Sequence, residues 1–296
     1  MSLPSPRPVS AGSRLGIVAP AGPFDQEAFQ RGVAWLEERY EVVHDDAIFT
    51  ESGYFAGSDS RRREELNRAV ADPSIDAILC ARGGYGCTRL LPGIDPGAVR
   101  DANKLIVGFS DVTALHTLWN QAGVQSIHAP MVAALGSAPD PVRTSWIATL
   151  EQTGPDRQWD LCRLDGNCES SGEGILFGGN LAVLGALNGT PFAPDLAGKI
   201  LFIEDVGERP YRVDRMLTTL AQSGWFDEIT GLVVGAFTEG DPGTDGVSID
   251  DVFTAQFATA EFPVLTGLSA GHITDNEPLP FGVTARIEGN SLTVTA

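Results

Sequence analysis

The chain offers a serine, four histidines and a set of strand-end carboxylates from which an acyl-transfer site could be assembled. Ser110 lies in the stretch KLIVGFSDVTALHTLWNQAG, residues 104–123. The apolar run Leu105-Ile106-Val107 has the length and β-branched content of a buried strand. Val112, Leu115, Leu118 and Trp119 then follow at helical spacing. Between the two sits the turn Gly108-Phe109-Ser110-Asp111. A serine at such a junction stands clear of the backbone at the positive end of a helix dipole, beside unpaired N–H groups. That environment suits a nucleophile whose product is an oxyanion. It equally suits a helix N-cap.

A serine nucleophile needs a base. His44, among acidic residues, reads as a surface side chain, and His116, inside the helix after Ser110, reads as a packing residue. His128, at a strand end before Ala129-Pro130, competes for the role. His272 stands in Gly267-Leu268-Ser269-Ala270-Gly271-His272, a small-residue loop where glycines allow close backbone approach and a histidine can face a crevice. The base in turn needs an orienting carboxylate. Glu204 closes the apolar strand Ile200-Leu201-Phe202-Ile203, and an acid there is costly unless paired. Its partner is either a histidine N–H or one of Arg209, Arg212 and Arg215. Arg82-Gly83-Gly84-Tyr85-Gly86 lacks the Gly-Lys-Ser/Thr of a P-loop and the full GxGxxG of a dinucleotide site. It reads as an ordinary glycine turn or as a loop that gives Ser110 an oxyanion donor.

The elements that must carry these residues alternate. Strands are expected at 15–19, 42–43, 75–81, 105–107 and 125–128, with helices at 28–40, after Ser58-Asp59, after Ser110 and at 141–151. The run Arg61-Arg62-Arg63-Glu64-Glu65 reads as the solvated face of its helix. Such alternation means a parallel sheet covered on both faces, with the ligand crevice beyond the carboxyl ends of its strands. Later strands are expected at 174–177, 199–203, 231–235 and 263–266, helices at 180–187, 211–223 and 249–259, and a hairpin at 282–295 around Gly289-Asn290. The fold class is therefore α/β: an amino-terminal parallel-sheet α/β/α domain, residues 14–151, and a smaller mixed α/β carboxy-terminal domain, residues 174–296. Residues 1–13 read as a disordered tail and 152–173 as a polar linker.

Composition narrows the function classes. Of 296 residues 43% are hydrophobic and 20% charged, which permits a sizeable core. A net charge of −19 makes nucleic acid and an acidic membrane surface poor partners. No apolar run approaches the roughly 20 residues that span a bilayer, and the amino terminus carries no signal-peptide core, so the expected location is cytoplasmic. The four cysteines, Cys80, Cys87, Cys162 and Cys168, form no CxxC pair, so neither a metal site nor a disulfide framework is expected.

The ordered motifs Arg82-Gly83-Gly84-Tyr85-Gly86, Gly108-Phe109-Ser110-Asp111, Gly178-Gly179-Asn180-Leu181, Ile203-Glu204-Asp205 with Glu208, and Gly271-His272 resemble those of the LD-carboxypeptidases. That family includes the muramoyltetrapeptide carboxypeptidases and the microcin C immunity proteins. The resemblance runs from Leu15 nearly to the end of the chain. It implies a Ser-His-Glu triad of Ser110, His272 and Glu204, oxyanion donors from the backbone of Asp111 and Gly84, and no cofactor or metal. The substrate it implies is a murein tetrapeptide that loses its terminal D-alanine during peptidoglycan recycling. Arg82, Gly83, Tyr85 and Arg212 are the candidates for substrate binding, and a homodimer is the assembly entertained. The alternatives are an immunity-type amidase acting on peptidyl-nucleotide conjugates, a non-catalytic small-molecule-binding protein, and a thiol amidotransferase using Cys87. The compact 152–173 connection favours the first reading over the amidase.

Overall fold

A computed structural model of the chain describes residues 2–152, 156–164, 167 and 170–295. The fold consists of two compact units. One comprises Leu3–Gly154 with Thr274–Phe281, the other Met1–Ser2, Pro155–Ile273 and Gly282–Ala296.

The first unit is built on a six-stranded sheet in the spatial order Leu279–Phe281, Ser126–His128, Leu105–Gly108, Ala77–Cys80, Arg14–Val18 and Glu41–Val43. All pairings are parallel except that of Leu279–Phe281 with Ser126–His128. Ala77–Cys80 and Leu105–Gly108 are buried throughout, because helices cover the sheet and both faces of a strand must then be apolar. The core includes Leu15, Ile17, Phe29, Leu79, Val107, Ile127 and Trp146. The strands Arg14–Val18, Ala77–Cys80 and Leu105–Gly108 run the same way, so the loops at 19–23 and 81–86 and the turn at Ser110 emerge on one side.

Two expectations for this unit are corrected. The charged run after Asp59 is not a solvated face: Arg62 and Glu65 are buried on the helix Asp59–Ala71. Glu65 accepts the backbone N–H of Ala19 at 2.7 Å and pairs with Arg61 at 2.9 Å, while Arg61 donates to the Ala19 carbonyl and Arg62 to that of Pro20. The 19–23 loop has no sheet partner for these groups, and buried backbone groups must be paired. The amino-terminal segment is also packed rather than free. Arg7 donates its backbone N–H to Asn103 and pairs with Asp76 at 3.1 Å, Gln125 donates to the Leu3 carbonyl, and Val9 joins the core.

The second unit holds an eight-stranded sheet in the order Arg157–Asp160, Ser291–Thr295, Thr284–Glu288, Gly172–Asn180, Lys199–Val206, Gly231–Thr238, Val264–Thr266 and Cys162–Arg163. Its four central strands, Gly172–Asn180 through Val264–Thr266, pair in parallel, and the outer pairings are antiparallel. Helices run at Leu181–Leu187, Pro210–Gln222 and Ile249–Phe257. The expected hairpin is present, turned by Gly289 at φ 57°. The expected linker is not a plain connection: it contributes the strands Arg157–Asp160 and Cys162–Arg163 to the two edges of this sheet. Edge strands are half solvated, so their sequence carries little apolar signal. Cys168 lies outside the described residues.

Candidate active site

Ser110 follows the extended Phe109 and has φ +63°. A non-glycine residue in the left-handed region is uncommon, and here it marks a sharp strand-to-helix turn, a geometry able to present a nucleophile. A 3-10 turn at Ser110–Val112 leads into the helix Thr113–Gln121, whose cap position falls on Val112, so Ser110 is not the cap. The turn is braced from behind. The Gly108 carbonyl accepts His116 Nε2 at 2.9 Å and the backbone N–H of Ala129 at 3.1 Å. Burial lowers the His116 pKa to about 3, so its ring is neutral and donates through Nε2. Gly83 lies against the serine: a Cβ there would stand 3.0 Å from Ser110 Cβ and 3.1 Å from Oγ. Gly83 accepts the backbone N–H of Gly22 at 3.0 Å, which joins the first strand's loop to the third's. Gly84 follows at φ +112° and is exposed.

The remaining candidates of this unit are sorted by their surroundings. His128 is fully buried, its ring 5.5 Å from that of Phe109 and 5.9 Å from that of Phe281, with no surface to offer a substrate. His44 is half-buried edge-on to Phe29, not the free surface residue expected. Arg82 is exposed and donates to the Pro23 carbonyl at 2.6 Å. Tyr85 is exposed, with its ring 5.9 Å from that of Tyr54. Cys87 is buried, and burial followed by the charge of Asp111 raises its thiol well above the ordinary value. A thiol so held does not supply a thiolate nucleophile.

In the second unit His272 Nδ1 meets Glu204 Oε2 at 2.7 Å, and Glu204 is fully buried. The partner of the strand-end acid is thus the histidine. Of the arginines that competed for it, Arg212 pairs with Glu208 at 3.4 Å, and the guanidinium of Arg215 sits 5.3 Å from the Tyr211 ring centre. Two glycines make the approach possible. Gly271, at φ +129°, passes so close to the acid that a Cβ would stand 2.9 Å from Glu204 Oε2. The pairing of Gly231–Thr238 with Lys199–Val206 shifts register between Val234 and Phe237. Within that bulge the Ala236 N–H donates to the Ala270 carbonyl at 2.8 Å, and a Cβ on Gly235 would stand 2.5 Å from the same oxygen.

Asp205, beside Glu204, was not singled out as a site residue by sequence. Its carboxylate accepts from Asn180 Nδ2 and from the backbone N–H groups of Ala182 and Val206, all within 2.8–2.9 Å. Burial, with a smaller contribution from the charge of Glu204, raises its pKa to about 6. The only sequence signal was its neighbour: two successive acids close an otherwise apolar strand.

Among the described residues there is no cluster of His, Cys, Asp and Glu that could hold a metal, and no helix long and apolar enough to cross a membrane. Residues 15–129 match the LD-carboxypeptidase N-terminal domain and residues 173–287 the LD-carboxypeptidase C-terminal domain. The murein tetrapeptide carboxypeptidase of Pseudomonas aeruginosa is 33% identical over 292 residues, covering 94% of each chain. The microcin C7 self-immunity protein MccF of Escherichia coli is 27% identical over 77% of this chain and 76% of its own. The crystal structure of muramoyltetrapeptide carboxypeptidase from Oxalobacter formigenes superposes with a TM-score of 0.86 at 31% identity, covering 96% of this chain and 99% of that one. With both halves matched in order and a tetrapeptide carboxypeptidase alike along nearly its whole length, this chain belongs to the LD-carboxypeptidase family.

Proposed function

We propose that the protein is a serine LD-carboxypeptidase that releases the terminal D-alanine of a murein tetrapeptide, in peptidoglycan recycling in the cytoplasm. The observation that carries this reading is the 2.7 Å bond between His272 Nδ1 and the buried Glu204. A carboxylate on Nδ1 fixes the tautomer that leaves Nε2 as a proton acceptor. Ser110 Oγ attacks the carbonyl carbon of the last peptide bond and gives its proton to His272 Nε2. The backbone N–H groups of Asp111 and Gly84 receive the oxyanion. The imidazolium then protonates the leaving amine of D-alanine, and water, deprotonated by His272, hydrolyses the acyl-serine. Gly83, against Ser110, and the exposed Tyr85 two residues on in the same loop are assigned to substrate binding. Arg82 and Arg212 are assigned to the terminal carboxylate, each from a position where it already has a partner. A carboxypeptidase has to read that charge with N–H donors or a guanidinium.

The test is incubation with a murein tetrapeptide and mass analysis of the product. Loss of one alanine, abolished in Ser110→Ala, is expected. Equal rates on the free acid and on the tetrapeptide amidated at its D-alanine would overturn the carboxypeptidase reading in favour of a general amidase.

A further inference from the structure

The loop at 83–87 is gripped from both flanks by buried charged groups that the mechanism above does not use. On one flank lies Arg62, fully buried, which donates to the Pro20 carbonyl and to Asp59. Its guanidinium carbon sits 4.6 Å from the Phe55 ring centre. Gly86, at φ +136°, runs so close to it that a Cβ would stand 2.3 Å from Arg62 Nη1. On the other flank lies the buried carboxylate of Asp111, the residue after Ser110. Its Oδ2 accepts the backbone N–H of Cys87 at 2.7 Å.

Asp111 therefore has two jobs. On the reading given above, its own N–H is one oxyanion donor, and its side chain holds the loop that carries the other, Gly84. We propose that the Asp111 carboxylate is a positioning residue that locks the glycine loop to the Ser110 turn and so sets the spacing of the two oxyanion donors. A charged acceptor suits the task, because hydrogen bonds to an ionised group are the shorter and stronger kind. Burial raises the pKa of this carboxyl, and the bond from the Cys87 N–H, followed by the charge of Arg62, works against that rise. An isosteric amide that turned its NH2 group toward this N–H donor would release the clamp.

The inference rests on Ser110 being the nucleophile, so its test reads the serine with and without the peptide substrate. Wild type and Asp111→Asn are compared in kcat and KM on the tetrapeptide, and in the rate at which a fluorophosphonate phosphonylates Ser110 with loss of fluoride. Displacement of one donor predicts a fall in kcat of about 100-fold. KM should stay within about threefold, as expected for a contact made only in the transition state, and phosphonylation should slow in parallel with kcat. Thermal melting shows whether the variant is folded. A folded Asp111→Asn protein that keeps wild-type kcat and phosphonylation rate would overturn the proposal and leave Asp111 a stability residue. If the variant fails to fold, Gly86→Ala displaces the loop from the Arg62 side, and phosphonylation at the wild-type rate would again overturn it. A wild type that is phosphonylated on Ser110 but releases no alanine would instead remove the substrate reading, with the labelling rates still deciding this one.

Discussion

Gly271→Ala is the substitution that most directly tests how His272, the proposed base, is oriented. The added methyl would lie 2.9 Å from Glu204 Oε2 and 3.0 Å from Glu204 Cβ. Relief of contacts so short needs a shift of about 0.5 Å, since packed heavy atoms prefer about 3.5–4.0 Å. The backbone adds its own cost: φ +129° is glycine territory, and holding alanine there costs on the order of 1–3 kcal/mol. Either the loop retreats, taking His272 with it, or the carboxylate retreats. Both movements stretch the 2.7 Å bond toward the limit of a hydrogen bond. Misplacement on this scale is expected to lower kcat by about 100-fold, or about 2.7 kcal/mol of transition-state stabilisation. The assay is tetrapeptide hydrolysis with kcat and KM separated, alongside urea denaturation and the low-field proton resonance of the His272 Nδ1–H group. An alanine variant with undiminished kcat and an unmoved resonance would refute the reasoning, because the contact could not then be shaping the pair.

Glu204→Gln should lower kcat by about 10³–10⁴-fold, as expected when a triad acid is neutralised, while the melting temperature moves little, since no charge is left unpaired. A stable, fully active variant would exclude the orienting role. Lys104 Nζ donates to the Ala69 and Val70 carbonyls at 2.9 and 2.8 Å and to that of Asp72, which closes the end of the helix Asp59–Ala71. Lys104→Met should cost about 1–3 kcal/mol in urea denaturation by leaving buried carbonyls unpaired, and no loss would remove that assignment. Asp205, with its pKa raised to about 6, binds its proton more tightly folded than unfolded. Its contribution is therefore full below about pH 4 and fades as pH rises through 6, by about 3 kcal/mol in all. Asp205→Asn should flatten that part of the stability profile, and a curve parallel to the wild type between pH 4 and 6 would contradict the assignment.

The position of Ser110 was legible because three local signals coincide there: a β-branched run, a tight turn and helical spacing. The αL backbone that denies Ser110 the cap position was not, since Gly-Phe-Ser-Asp reads the same for a capped helix and for a strained turn. The burial of Arg62 and Glu65 was hidden for a different reason. Their partners are backbone atoms at Ala19 and Pro20, more than 40 residues away, and no local pattern marks a loop short of hydrogen-bond partners. The edge strand Arg157–Asp160 escaped on similar grounds. Its four residues alternate between partial and full exposure, and the strand it pairs with, Ser291–Thr295, comes at the far end of the chain.

One device recurs where these loops leave their strands. Glu65 accepts the Ala19 N–H after the first strand, Asp111 the Cys87 N–H after the glycine loop, and Asp205 the Ala182 N–H at the start of the helix that follows Asn180. Each acid is buried, and each takes a main-chain donor that no sheet neighbour serves. A carboxylate can accept several such bonds at once, which neutral side chains cannot match, so it fixes a short loop with one side chain. In a chain with 39 acidic residues these three look like the solvated remainder in sequence. What sets them apart is geometric. Glu65 and Asp111 face loops rich in glycine and proline, whose backbone can approach closely but cannot pair with itself, and Asp205 faces the first turn of a helix, whose N–H groups have no partner within the helix. The same geometry explains why Glu204 differs from its neighbour. Asp205 is occupied by backbone donors, whereas Glu204 faces a loop that brings it an imidazole. That difference in partner, rather than any difference in residue type, marks which of two adjacent acids is assigned to the chemistry.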